Sequence, residues 1–174
     1  MFENIDFSKL TKISILETLK LKAKEVNLEE IISASLFIIE DAKYVQREYR
    51  EKFIESYTHA FITRITILKN DRVKYIGEIN SEKFKEAILL LNKQKRENDM
   101  NKNFNQSFFK IYMIISIYTT FVLDEPIHPI GTPFPGGFEV IHDGENYLCP
   151  VKESQKDNPG AVCGFCIAEQ DPSI

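Results

Sequence analysis

The residues best suited to chemistry are Cys149, Cys163 and Cys166, the only cysteines in the 174-residue chain. Cys163-Gly164-Phe165-Cys166 is a C-x-x-C turn, a spacing that lets two thiolates face one ion, with a glycine to permit the tight backbone. Thirteen residues separate Cys149 from that turn. Cys149 ends the second arm of an expected hairpin, and a third thiolate delivered by a hairpin end is how small zinc-ribbon-like sites are assembled. Tetrahedral zinc takes four ligands, so a histidine is expected to complete the set. A zinc ion or an iron–sulfur cluster is therefore the first expectation for these thiols. A dithiol redox pair, Cys163 with Cys166, is the second. It lacks the strand-before, helix-after setting of a thioredoxin site. Three inert cysteines in a small core is the third.

The hairpin helps to choose the histidine. Phe138 to Cys149 reads as two β-prone arms around Asp143-Gly144, a pair suited to a type I′ turn. That register pairs His142 with Glu145, Val140 with Tyr147 and Phe138 with Cys149. It leaves His142 four residues toward the tip from Cys149, about 13 Å away at the strand rise. Two ligands of one metal are not held so far apart. His128 precedes the hairpin on a turn-rich loop that can fold back to its base, so His128 is the expected fourth ligand. His59, among Tyr57, Ala60 and Phe61, reads as a packed helix residue.

Other motifs carry less. Gly131 and Gly136 have phosphate-loop spacing, but Gly137 and Phe138 stand where lysine and a hydroxyl residue belong, and the prolines remove amide donors. The loop reads instead as a stiff crossing with glycines at positive φ. Lys93, Lys95 and Arg96 read as complements to a negative helix end. Asp124 and Glu125 read as surface acids. No carboxylate pair or Ser/His/Asp set can be located from spacing.

The surrounding composition divides the chain after Leu123. All seven prolines, six of the seven glycines and all three cysteines lie in 124–174. That segment holds nine acids against two lysines, a net of −7, while 1–123 carries +3. Lacking proline and holding only Gly77, the first part is free of helix breakers. The expected fold is mainly α, a helical body over 1–123 with a C-terminal hairpin-and-cysteine-knuckle module over 124–174 packed on it. Helices are expected over about 8–26, from an Asn27–Glu30 capping box with a Val26–Ile31 staple, across 49–68, from Asn80 to Arg96 with Phe84, Ala87, Ile88 and Leu91 inward, and over 108–123 as the central core helix. The stripe of the first helix is Leu10, Ile13, Leu16, Leu19 and Ala23. That of the second is Ile31, Ile32, Ile38, Ile39, Ala42 and Val45. A polar linker, 97–105, precedes the core helix. The run Ile111–Leu123 is too short to span a bilayer.

A net charge of −4 argues against nucleic acid as partner. No secretory pattern opens the chain, and three cysteines argue for reduced thiols in a cytoplasm. The motifs His128-Pro-Ile-Gly-Thr-Pro-Phe-Pro-Gly-Gly137 and Cys149-Pro-Val-Lys-Glu-Ser-Gln-Lys-Asp-Asn-Pro-Gly-Ala-Val-Cys-Gly-Phe-Cys-Ile-Ala-Glu-Gln170 resemble an uncharacterised protein family of methanogenic archaea, a domain of unknown function. The resemblance covers the whole chain and its specific motifs lie in 126–170. It implies an archaeal, anaerobic, cytoplasmic setting in which an iron–sulfur cluster would survive, and it carries no activity. The functional expectation is an accessory or interaction protein with a metal site of three cysteines and one histidine, and a protein partner. The alternative is a metalloenzyme with an open metal position, or a thiol redox protein using Cys163 and Cys166.

Overall fold

The computed structural model describes residues 10–99 and 104–174. It is mainly helical. Helix α1 (Lys12–Lys24) starts at Thr11, which shares a capping box with Ser14. Helix α2 (Leu28–Asp41) starts at Asn27, whose side chain accepts from the Glu30 N–H while Glu30 reaches back. Two 3-10 turns (Ala42–Tyr44, Arg47–Tyr49) lead into α3 (Arg50–Tyr57), which continues through a π turn (Thr58–Thr63) into α4 (Arg64–Asn70). Asn80 caps α5 (Ser81–Asn98) and Asn105 caps α6 (Gln106–Tyr118), which runs on through a second π turn, Thr119–Leu123. Each cap is a short polar side chain meeting an otherwise unpaired backbone N–H.

Helix α6 is the axis of the core. Ile111, Ile114, Ile115 and Ile117 are fully buried, and even Ser116 and Thr119 see no solvent. The stretch Gln106–Leu123 is long and apolar enough to cross a membrane, yet it lies 67% buried within the fold. Helices α1, α2 and α4 pack around it. Phe84, Ala87, Ile88 and Leu91 of α5 are buried as their spacing predicts. The β-branched run before Asn70 is helical, because its stripe of Phe61, Ile65 and Leu68 is wanted by the core.

Two stripes differ from expectation. In α1 the buried face is Ile15, Leu16, Leu19 and Ala23, and Ile13 faces out at 43% exposure. In α2 only Ala34 and Ile38 are buried. Leu28, Ile32, Leu36 and Ile39 form an exposed apolar row, each above half exposed. Helix α2 has apolar residues on two faces, and the core takes one. The expected start of the first helix at Ser8 and part of the 97–105 linker lie outside the described residues.

The C-terminal part is built from short strands. Strands β1 (Pro133–Phe134) and β2 (Phe138–Glu139) form a hairpin, so the proline-rich crossing itself folds back on a Pro135-Gly136-Gly137 tip. Gly136 and Gly137 take positive φ there. Strand β3 (Ile141–His142) pairs antiparallel with β4 (Tyr147–Cys149), and β4 pairs parallel with β5 (Glu169–Gln170). A one-turn helix, α7 (Lys152–Gln155), intervenes. The β3–β4 register pairs His142 with Tyr147 and Ile141 with Leu148. This register is offset by two residues from the expected one. The turn is centred on Gly144-Glu145, not Asp143-Gly144. The Asp143 carboxylate accepts from the Glu145 and Asn146 N–H groups, and the Asp143 N–H donates to Asn146 O. Aspartate thus acts as the residue opening the turn, with glycine first inside it.

Candidate functional site: the thiol chamber

Cys149, Cys163, Cys166 and His128 line one small chamber, together with Val140, Val162, Ala168, Pro126, Ile127 and Lys152. The donors come from three local structures. Cys149 ends β4 and is buried. Its carbonyl accepts from the Asp171 N–H just beyond β5, which fastens the strand end. Cys163 and Cys166 flank a tight turn in which the Phe165 and Cys166 N–H groups both donate to Val162 O. Gly164 is needed there, because a Cβ would stand 3.0 Å from the Lys156 carbonyl oxygen. His128 follows the central helix on the loop after Pro126.

Lys152 closes the turn. Its ammonium donates to the carbonyls of Cys163 and of Cys166, the latter at 2.8 Å. Among the described residues it is the one cation lining the chamber. Nothing in the spacing marks it out, since it sits three residues after Cys149 among ordinary polar neighbours.

His128 is held by aromatic rings. Tyr57 Oη lies 3.1 Å from its Nε2, and the rings of Phe61 and Phe134 meet it edge-on. With Nε2 engaged by Tyr57, Nδ1 is the nitrogen left for another partner. Burial among these rings pushes the imidazole pKa down to about 4, so it is neutral at ordinary pH. His142 is exposed and packs on Tyr147 with ring centroids 4.7 Å apart, outside the chamber. The two-residue offset brings His142 within about 7 Å of Cys149 along the ladder, so the strand-rise argument against it is weaker than expected. What separates the two histidines is which one lines the chamber. His59 is exposed and lies in the π turn, not packed as expected.

Burial raises the pKa values of Cys163 and Cys149. Cys163 is pushed up to about 11, first by desolvation and then by the neighbouring Cys166 and Cys149, against the opposing charge of Lys152. Desolvation likewise raises Cys149, with Cys166 adding to it. The three sulfurs feel one another. The chamber holds only about 10 Å³, roughly one water-sized sphere. Among the described residues, no group of three or more His, Cys, Asp or Glu is set at distances that would hold a metal ion. The four expected donors share a chamber without converging on a point.

Several relatives align along nearly the full chain. A UPF0305 protein of Methanothermobacter thermautotrophicus is 43% identical over 95% of this chain and 99% of its own length. A second UPF0305 protein of that organism is 32% identical over 91% of this chain and 96% of its own. The UPF0305 protein of Methanocaldococcus jannaschii is 29% identical, over 89% and 93%. No solved structure matches the chain. The family described as "Uncharacterized protein conserved in archaea (DUF2115)" matches residues 11–171, which takes in every helix and strand named above and every residue of the chamber, and the chain belongs to it.

Proposed function

We propose that the protein is a cytoplasmic accessory or interaction protein whose C-terminal module is stapled by a single metal ion held by Cys149, Cys163, Cys166 and His128. The observation that carries the reading is that these four donors, drawn from three separate segments, line the same chamber. Its size suits one zinc ion better than a multi-atom iron–sulfur cluster. Small closures of the turn and the His128 loop would bring the donors to bonding distance. Metal binding and ordering of the module are then one event.

Chemistry supports the donor set. Metal ligation needs thiolates and neutral imidazole. The imidazole is already neutral, and Lys152 supplies a positive charge beside the thiolates. Three thiolates and a zinc ion sum to −1, which Lys152 offsets. Tyr57 would orient His128 as an outer partner. The redox alternative wants a thiol with a lowered pKa, and Cys163 has the opposite. The exposed row on α2 supports a protein partner, because a contiguous apolar row is how helices meet other chains.

Anaerobic purification followed by elemental analysis tests this. One zinc per chain in a colourless protein is expected, with most of it lost in Cys149→Ser. Full metal content in that variant, or a brown preparation rich in iron and sulfide, would overturn the single-zinc reading.

A further inference from the structure

A second cleft lies on the other side of Pro126. We infer that this cleft, between the first π turn and the Pro126–Gly131 loop, binds a small oxyanion, a carboxylate or a phosphate group, through Arg64. About 530 Å³ in volume, it is lined by Arg64, His59, Ser56 and Lys52 on one side and by Pro126, Pro129 and Gly131 on the other. It shares only Pro126 with the thiol chamber and does not depend on any metal.

Arg64 carries the argument. It is 9% exposed, and a charged guanidinium that deep must use its donors. Its Nη2 bonds Glu125. Its Nη1 is buried and meets no hydrogen-bond partner among the described residues. Half of a planar fork suited to bidentate oxyanion binding is therefore unused. Glu125 takes up only one edge.

The backbone brings further donors to the same wall. A π turn bonds residue i to i+5, so residues five apart come into line. His59 and Arg64 are five apart across the turn Thr58–Thr63. One turn earlier, Ser56 and Lys52 are four apart on α3, which stacks them on one face. A π turn is uncommon and costs helix geometry. Here it sets an exposed imidazole, a hydroxyl and a buried guanidinium along one cleft. The opposite wall is stiff: Pro126 and Pro129 fix the loop, and Gly131 takes positive φ.

The cations of the cleft are matched by carboxylates, so the unused guanidinium donor and not net charge is what recommends an anion. Lys52 also pairs with Glu139 and Arg64 with Glu125. Glu55 lines the cleft but is exposed, where water screens it. Nη1 is covered as the cleft stands, so a small shift of the exposed His59 side must admit the ligand. A singly charged oxyanion bridging Arg64 Nη1 to the Ser56 hydroxyl or the His59 ring would then satisfy the orphan donor. Glu125 need not leave.

Isothermal titration of the full chain with inorganic phosphate, and separately with acetate, at constant ionic strength held by sodium chloride, tests the inference. Saturable binding of at least one anion is expected. Phosphate alone points to a phosphorylated ligand, acetate alone to a carboxylate. Arg64→Gln should weaken binding at least tenfold. Because that change removes a buried charge and can unfold the protein, Ser56→Asp serves beside it. It places a repelling carboxylate on a half-buried helix surface and should abolish binding with the melting temperature little changed. Absence of saturable binding of either anion, or binding indifferent to Ser56→Asp, overturns the site.

Discussion

At the scale of single residues, His128 and His142 differ in kind though both belong to the same part of the chain. One is wrapped by Tyr57, Phe61 and Phe134, the other exposed on Tyr147. His128→Ala should therefore lower metal content and melting temperature together, while His142→Ala leaves both near the parent values. Zinc retained in His128→Ala but lost in His142→Ala would assign the wrong ring to the chamber. The pH dependence follows from the same burial. His128 needs no deprotonation above about pH 4, so acid loss of metal is governed by the thiols, and burial raises the pKa values of Cys149 and Cys163 among them. Affinity should rise with pH through the neutral and alkaline range, with proton release on binding measured in weakly buffered zinc titrations. That the three cysteines belong together was legible in the sequence because their type and spacing are rare. His128 was reached by excluding His142 on a register that proved two residues off, and the structure nonetheless lines the same chamber with it. Lys152, Tyr57 and Arg64 were not legible. Each gains its role only when distant segments meet, and each looks in sequence like a common surface or stripe residue.

Elements show where periodicity is a sufficient guide and where it stops. Asn27 with Glu30, and Asn80 before Phe84, are local signals, and both helices start where those signals lie. The face that α2 presents to the core was not legible, because two apolar rows compete and only the packing partner decides. The hairpin register failed for a related reason. Asp-Gly is a strong turn signal, but the Asp143 carboxylate can cap the turn from its first corner as well as sit inside it. Strand β5, two residues long, has no pattern to read. The join of α4 to α6 offers a sharper test. Asp71, just past α4, is buried and accepts from Tyr118 at 2.6 Å, from the Val73 N–H and from Tyr75. Burial works to raise its pKa, but those hydrogen bonds with Lys20 outweigh it and hold the carboxyl below the usual range. Its stabilisation is thus complete above the ordinary carboxylate pKa and is lost as pH falls through the lowered one. Tyr118 and Tyr75 share Oδ2 and the Val73 N–H uses Oδ1, so the single amide oxygen of Asp71→Asn can serve one side and not the other, and the change should cost about 1–3 kcal/mol. Urea unfolding at neutral pH measures it, and the gap between variant and parent should narrow in acid.

At the scale of the whole molecule, the division in composition after Leu123 is real, yet side chains cross it everywhere. Ile127 and Val162 belong to the main core cluster. Phe165 stacks on Phe121 with centroids 6.2 Å apart. Gln94 of α5 donates to the carbonyls of Pro159 and Ala161 at 2.8 and 3.0 Å. Arg64 relies on Glu125. A fragment ending at Leu123 should keep much of its helical circular dichroism, because its caps and stripes are local. It should also melt well below the full chain, since it loses the Glu125 partner of Arg64 and the core residues Ile127 and Val162. Equal melting temperatures would mean that the body stands alone.

The parallel pairing of β4 with β5 has a consequence for how the protein is made. Leu148 and Cys149 are matched by Glu169 and Gln170, so the strand that ends in Cys149 gains its parallel partner only from residues that follow the turn bearing Cys163 and Cys166. On the ribosome, the helices can gather around α6 while Cys149 waits for Glu169 and Gln170, about twenty residues further on, to emerge. Until then Phe121 and Ile127 lack Phe165 and Val162 as cover. The nascent chain therefore passes through a stage with an open apolar wall and free sulfhydryls. If zinc is the staple proposed above, its arrival before or after Glu169 and Gln170 have paired with β4 would decide between a finished fold and an aggregate.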